Sequence, residues 1–262
     1  MNLDLSNKKA IVCGSTQGIG KAAAIELALL GADVILLARN EEALKKTKLE
    51  LSTAKGQQHD YIVADFTMPE ELKLKIEKYI LRHHAIHILV NNTGGPPGGP
   101  IANASIKEFQ EAFSNHLICN HILVTSLMEG MKRAGYGRII NIISTSVKQP
   151  LKGLGVSNTI RAAVANWSKT LSLELAPFGI TVNNVLPGAT NTQRLSSILE
   201  AKSKKTAQDI EAVKKEMLHE IPSGRFAEAS EIASAVAFLA SPAAGYINGI
   251  NLPVDGGRTG SL

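Results

Sequence analysis

The stretch Ala10-Ile11-Val12-Cys13-Gly14-Ser15-Thr16-Gln17-Gly18-Ile19-Gly20 decides the fold. Its first four residues are apolar, which predicts a short buried strand. Three glycines follow at Gly14, Gly18 and Gly20, and a segment of helical period runs on over 19–30. Strand, glycine turn and helix in that order gather free backbone N–H groups and the positive end of a helix at one point. Glycine there lets the backbone approach a pyrophosphate that a side chain would hold off. Gly14, Ser15, Gln17, Gly18, Ile19 and Gly20 are therefore candidate cofactor contacts.

Outward from this turn, short β-branched or apolar runs recur at 34–37, 61–63, 86–90, 138–143, 181–185 and 250–254. Longer amphipathic segments separate them, near 41–54, 69–82, 105–132, 155–176 and 229–240. This alternation predicts an α/β fold, a Rossmann-type doubly wound three-layer sandwich around a mainly parallel seven-stranded sheet. Ligands of such sheets lie beyond the carboxyl ends of the strands. No repeat or long linker interrupts the pattern, so 1–262 is expected to form a single dinucleotide-binding domain. The charged segment 193–220, helical in period, reads as a substrate lid inserted before the last strand.

The formal charge of +5 comes from lysines scattered among glutamates, the pattern of solvated helix faces rather than of a nucleic-acid-binding stripe. The chain opens without a cleavable leader pattern, and its apolar runs are of strand length, so no membrane partner is expected and a cytoplasmic setting is. Cys13 and Cys119 are far apart and imply neither a disulfide nor zinc. His116, Cys119 and His121 do not converge at helical angles, so no metal is expected.

The second strand ends Leu37-Ala38-Arg39-Asn40, with no acidic residue to hold both hydroxyls of a ribose. Arg39 instead offers a planar cation to a 2′-phosphate, beside Asn40. NADP(H) is the preferred cofactor on this charge argument, with NAD(H) as the alternative.

The GxxxGxG spacing from Gly14, the run Asn91-Asn92-Thr93-Gly94, the segment Gly137-Arg138-Ile139-Ile140-Asn141-Ile142-Ile143-Ser144, then Gly179-Ile180-Thr181-Val182-Asn183, Pro187-Gly188 and the tail 249–257 form an ordered set. Over essentially the whole chain this set resembles the short-chain dehydrogenase/reductase family, and most of all its β-ketoacyl carrier-protein reductases. The resemblance implies that Asp65 bonds the adenine and that Asn91 helps hold the adenosine side. It also implies cofactor contacts at Thr93, Gly94, Pro187 and Gly188, and places the Thr192 hydroxyl at the nicotinamide end. A small-molecule substrate and a homo-oligomer follow, dimer or tetramer, built through the helices near 105–132 and 155–176.

The family's catalysis uses a tyrosine acid, a lysine, a serine and an asparagine. Ser144 matches the serine. Where the family's YxxxK begins, this chain reads Ser157-Asn158-Thr159-Ile160-Arg161, and the asparagine position falls on His116, with Asn115 adjacent. An aliphatic hydroxyl is a far weaker acid than a phenol of pKa about 10. Arg161, one helical turn after Ser157, suits the cofactor ribose or an acidic substrate group. His116 is the one group of the four that titrates near neutrality, unless its polar edge is simply satisfied by backbone or solvent. Ser144, Ser157, Arg161 and His116 are the catalytic candidates. Two functions fit: an NADP(H)-dependent oxidoreductase with an atypical site acting on a carbonyl or secondary alcohol, a 3-oxoacyl thioester among them, or a catalytically impaired NADP(H)-binding sensor, regulator or oligomeric partner.

Overall fold

The computed structural model describes residues 1–83 and 85–261. Strands β1 (Lys9–Cys13), β2 (Asp33–Ala38), β3 (Asp60–Val63), β4 (Ile88–Asn91), β5 (Gly137–Ile142), β6 (Ile180–Pro187) and β7 (Asn251–Val254) form one sheet of order β3-β2-β1-β4-β5-β6-β7. All six pairings are parallel. Both faces are covered, which is why the runs 10–13 of β1 and 34–38 of β2 are apolar at consecutive positions rather than alternating. Along β1, Ala10 and Val12 join the core under α1 (Gly18–Leu29) and α9 (Ala229–Ala240). Ile11 and Cys13 join the opposite core, with Leu72 and Ile76 of α3 (Pro69–Ile80) and Leu123 and Leu127 of α5 (Cys119–Ala134).

The strand order reverses between β1 and β4. The chain winds outward to β3, returns to the other side of β1, and so leaves a crevice at the carboxyl ends of these two strands. The glycine turn after β1 and the loop after β4 form its two banks.

Several expected elements differ in extent. Helix α2 (Glu41–Leu49) ends five residues before 54, because Leu51 leaves the helix to enter the core and Ser52 and Thr53 add little helix propensity. Strand β4 starts at Ile88 rather than 86. The segment 105–132 is not one continuous α-helix. It comprises α4 (Ile106–Phe113), opened by a Ser105/Glu108 capping box, a π-helical turn at Ser114–Ile118, and then α5. Segment 193–220 likewise holds two helices, α7 (Gln193–Thr206) and α8 (Ile210–His219). Ala207 breaks them apart in the left-handed region at φ 53°, and the Asp209 carboxylate caps the second. Among the described residues no helix is long and apolar enough to cross a membrane.

Candidate active site

The glycine turn packs so closely that the fold itself demands glycine at two positions. A Cβ on Gly14, where φ is +58°, would sit 2.7 Å from Asn92 Nδ2, and one on Gly20 would sit 2.2 Å from the Gly14 carbonyl oxygen. Asn92, not singled out in the sequence, braces the turn by donating from Nδ2 to the Cys13 carbonyl at 3.2 Å. Gln17 flanks α1 in extended conformation without capping it, so the first-turn N–H groups of α1 lack a side-chain acceptor. Ile19 is half-buried against the core, and Gly18 lies against the Thr192 methyl, which brings the loop after β6 onto the same turn.

Some expected cofactor residues turn out to be engaged elsewhere. Ser15 is fully buried, and its Oγ accepts from the Leu37 N–H at 3.0 Å, tying the turn to β2. Asn40 caps α2, its Oδ1 accepting from the Ala43 N–H at 3.0 Å. Arg39 is 73% exposed and stands 3.8 Å from Asp65, so these two expected neighbours of the adenosine do meet at one edge of the crevice. Asp65 also accepts from the Thr67 N–H.

Asn91 points into the sheet. Its Nδ2 donates to Asn141 Oδ1 at 2.8 Å, Asn141 Nδ2 donates to Asn184 Oδ1 at 3.0 Å, and Asn184 Nδ2 donates to Asn251 Oδ1 at 2.7 Å. These four residues are register partners on β4, β5, β6 and β7, so one amide from each strand forms a continuous ladder. Asn91 thus spends its side-chain amide nitrogen on the sheet. Its own Oδ1, together with Asn120 Oδ1 and Arg161 Nε, is buried without a hydrogen-bond partner among the described residues. All three residues line a cavity of about 10 Å³, with Thr93, His116, Ile142, Ile143 and Val164. That is room for about one water, and one donor with two acceptors is the set a water can satisfy.

Ser144 follows β5 and caps a 3₁₀ turn, its Oγ accepting from the Ser146 N–H at 3.1 Å. The hydroxyl proton is thereby left to donate outward. Ser157 and Arg161 lie one turn apart near the start of α6 (Gly155–Leu175), both buried. Asn158 between them fastens the preceding loop, donating to the Leu151 carbonyl at 2.8 Å. Arg161 Nη1 donates to the carbonyl of Ile142, the last residue of β5, at 2.8 Å. His116 sits in the π-helical turn, and it is His116 rather than Asn115 that lines the cavity beside Arg161. A π turn shifts the helical phase, and here it presents a buried side chain towards the crevice.

The loop 94–100 closes over this group. Gly99 forms a parallel bridge with Leu154, donating to the Gly153 carbonyl at 2.7 Å and accepting from the Gly155 N–H at 3.1 Å. Arg194, in the first turn of α7, donates from Nη2 to the Pro96 carbonyl at 2.8 Å. Pro187 ends β6, Gly188 packs directly on Asp255, and Thr192 precedes α7. Burial, with Arg161 and Arg194 nearby, holds the His116 imidazole far below its ordinary pKa, a shift only partly opposed by the Gly94 carbonyl that its ring faces. Burial and then Arg194 push the Arg161 guanidinium down to about 10, which leaves it a cation at neutral pH.

Residues 14–259 match the family model described as Enoyl-(Acyl carrier protein) reductase. The chain is 31% identical to the NADPH-dependent reductase BacG of Bacillus subtilis (strain 168), across 98% of this chain and 100% of that protein. It is 34% identical to the 3-oxoacyl-(acyl-carrier-protein) reductase FabG of Haemophilus influenzae, across 97% and 98%. Among solved structures, the L-sorbose reductase of Gluconobacter frateurii, complexed with NADPH and L-sorbose, superposes with a TM-score of 0.92 at 30% identity, with 100% of both chains covered.

Proposed function

The chain belongs to the short-chain dehydrogenase/reductase family, and from that premise we propose that it is an NADP(H)-dependent oxidoreductase acting on a carbonyl or secondary alcohol. One observation carries the reading: at the switch point between β1 and β4, the uncapped start of α1 and the exposed Arg39 stand on one bank, with no carboxylate ending β2. N–H groups at a helix start suit a pyrophosphate, and a loosely paired arginine suits a 2′-phosphate. The relatives named as NADPH-dependent or complexed with NADPH favour the same cofactor. Gly14, Gln17, Gly18, Ile19, Gly20, Arg39, Asp65, the backbone of Asn91, Thr93, Gly94, Pro187, Gly188 and Thr192 would hold it.

The chemistry NADPH would supply when held by these residues is a hydride for the substrate carbonyl carbon. Ser144, whose Oγ accepts from Ser146, donates a hydrogen bond to the substrate oxygen and orients it. Ser157 and Arg161 stand where the family carries tyrosine and lysine. Arg161 keeps a fixed positive charge beside the reacting group and does not give up a proton at neutral pH. His116 stays a neutral imidazole, so we assign the proton to solvent water reaching the substrate oxygen, the hydroxide left behind being reprotonated from bulk solvent; the water held by Arg161 Nε spends both its hydrogens on Asn91 Oδ1 and Asn120 Oδ1. Doing without a positioned phenol costs about 10²- to 10⁴-fold in rate, which leaves turnover slow but measurable.

We take residues 1–262 as one dinucleotide-binding domain and α7 with α8 as its lid. An open cleft of about 430 Å³, lined by Thr192, Leu195, Leu199, Ile210, Lys214 and Phe226, would take the body of the substrate, whether a 3-oxoacyl thioester or a smaller ketone. Exposed Phe113 and Ile118 on the α4–α5 unit and Leu173 on α6 support a homo-oligomer through those helices.

The test is to follow loss of reduced-nicotinamide absorbance with a panel of ketones and 3-oxoacyl thioesters, while measuring NADPH affinity separately by titration. Turnover of any of them is the expected result. Tight NADPH binding without turnover would instead favour an NADP(H)-binding sensor, regulator or oligomeric partner. That second reading rests on the burial that keeps His116 from serving as an acid near neutral pH.

A further inference from the structure

The nicotinamide side of the crevice holds two guanidinium groups with no acidic counterpart. Arg39, Arg225 and Arg258 each meet a carboxylate, whereas Arg161 and Arg194 meet none among the described residues. Arg161 is only 8% exposed. Its Nη1 is spent on the Ile142 carbonyl, its Nε is buried without a partner, and its Nη2 has none among the described residues. That Nη2 and the Nη2 of Arg194 flank one small volume beside Gly95: a methyl placed on Gly95 would lie 3.6 Å from the first and 3.4 Å from the second. Neither Gly94 nor Gly95 brings a side chain to that volume.

Three unfavourable terms meet here. Two like charges face one another, one of them is desolvated, and the other sits in the first turn of α7, where the helix dipole is positive and no acidic residue offsets it. A single anion between the two forks relieves all three. A carboxylate has two oxygens, one to accept from the Nη2 of each arginine. The neighbouring groups facing Arg161 add no negative charge: His116 is neutral, and the asparagines of the cavity are uncharged.

We propose that the substrate is a small oxo or hydroxy acid, and that Arg161 and Arg194 hold its carboxylate between the Gly94–Gly95 turn and the start of α7. The chemistry of this assignment rests on the oxidoreductase reading, but the anion site can be tested without turnover. Carboxylate capture at this point sets the reacting carbonyl at a fixed distance from two cations, so neutral ketones and esters lose orientation as well as affinity.

The probes are 3-oxobutanoate and 4-oxopentanoate against their methyl esters, with dihydroxyacetone phosphate as a phosphate-bearing ketone. A preference for the acids of about 10- to 100-fold in kcat/KM is expected, the size of a lost charge-assisted pair. Arg194→Ala should lower kcat/KM for the acids by that factor more than for the esters, chiefly through KM, and Arg194→Lys should restore part of it. Gly95→Ala, whose methyl makes only ordinary contacts, should have the same selective effect by filling the volume. Equal use of acid and ester, or an equal loss of both in Arg194→Ala and Gly95→Ala, would overturn the assignment. So would a preference for dihydroxyacetone phosphate, which would move the site from carboxylate to phosphate. If no probe turns over, the oxidoreductase reading fails on its own, and the anion site is judged by calorimetric titration of 4-oxopentanoate into NADPH-loaded protein. Binding to the wild type that weakens at least tenfold in Arg194→Ala supports the site; no binding, or equal binding, refutes it.

Discussion

The two banks of the crevice handle charge in opposite ways. At the edge where β2 and β3 end, Arg39 and Asp65 pair loosely at 3.8 Å, with 73% and 35% of their side chains exposed. Beyond β5, Arg161 is nine-tenths buried, with a second arginine as its nearest charge. An exposed pair is screened by water and contributes little to stability. A buried cation without a counterion is costly, and a fold retains one only where something outside the chain repays it. The first bank is thus a general recognition surface, while the second is committed to one kind of ligand.

Breaking the buried side should produce the largest effect. Arg161→Met removes the cation and keeps an unbranched chain of similar length. We expect kcat/KM to fall by about 10²- to 10³-fold while the thermal unfolding midpoint holds or rises. A fall in both would recast Arg161 as a structural member and erase the contrast. Asn141→Ala cuts the amide ladder in its middle, stranding Asn91 Nδ2 and Asn184 Oδ1 inside the sheet. Denaturant titration should show a loss of about 2–4 kcal/mol, since each orphaned polar group costs about 1–3 kcal/mol. A loss below about 1 kcal/mol would mean that water heals the break.

Acidification sharpens the comparison further. The folded pKa of His116 lies well below its unfolded value near 6.5, so between the two the unfolded chain binds more protons. Stability from this group is therefore complete above pH 6.5 and lost as pH falls, by about 1.4 kcal/mol per unit. His87, pushed down to about 4 chiefly by burial, adds a second loss of the same sign. Unfolding free energies measured at pH 7, 6 and 5 should decline less steeply in His116→Gln than in the wild type, and parallel curves would show that His116 does not carry its share. The smallest effect belongs to the exposed bank. Arg39→Ala should weaken NADPH by about tenfold and NADH less than twofold in a fluorescence titration, and equal weakening of both would remove its 2′-phosphate role.

What could be read from the sequence was local. The strand–turn–helix at 10–30 shows itself because the glycines and the apolar run are consecutive. Arg39 was visible for the same reason, as the residue that follows β2. Arg194 was not, because an arginine opening a charged helix looks solvated until Pro96, 98 residues away in sequence, comes to accept from it. Of the adjacent pair Asn91 and Asn92, the residue bracing the glycine turn is Asn92, and the Asn91 side chain serves the sheet. Ser15 and Asn40 were legible as polar residues in the right loops, but their oxygens are taken by the Leu37 and Ala43 N–H groups. The π-helical turn left no periodic trace, since its five residues only displace the phase between two ordinary helices.

By itself, then, the sequence determined the alternation of strands and helices, the glycine turn, the arginine just after β2, and the pair Ser157 and Arg161 on one face of α6. These rest on periodicity and on neighbours within a turn, and such interactions are set before the chain folds back on itself. Only the tertiary structure decided which polar groups are spent on the fold and which remain free. Register placed four asparagines in one ladder, and burial kept His116 neutral. The meeting of α6, α7 and the 94–100 loop set two arginines around a space without a counter-charge. Desolvation and charge proximity are properties of that packing, and no run of consecutive residues encodes them alone.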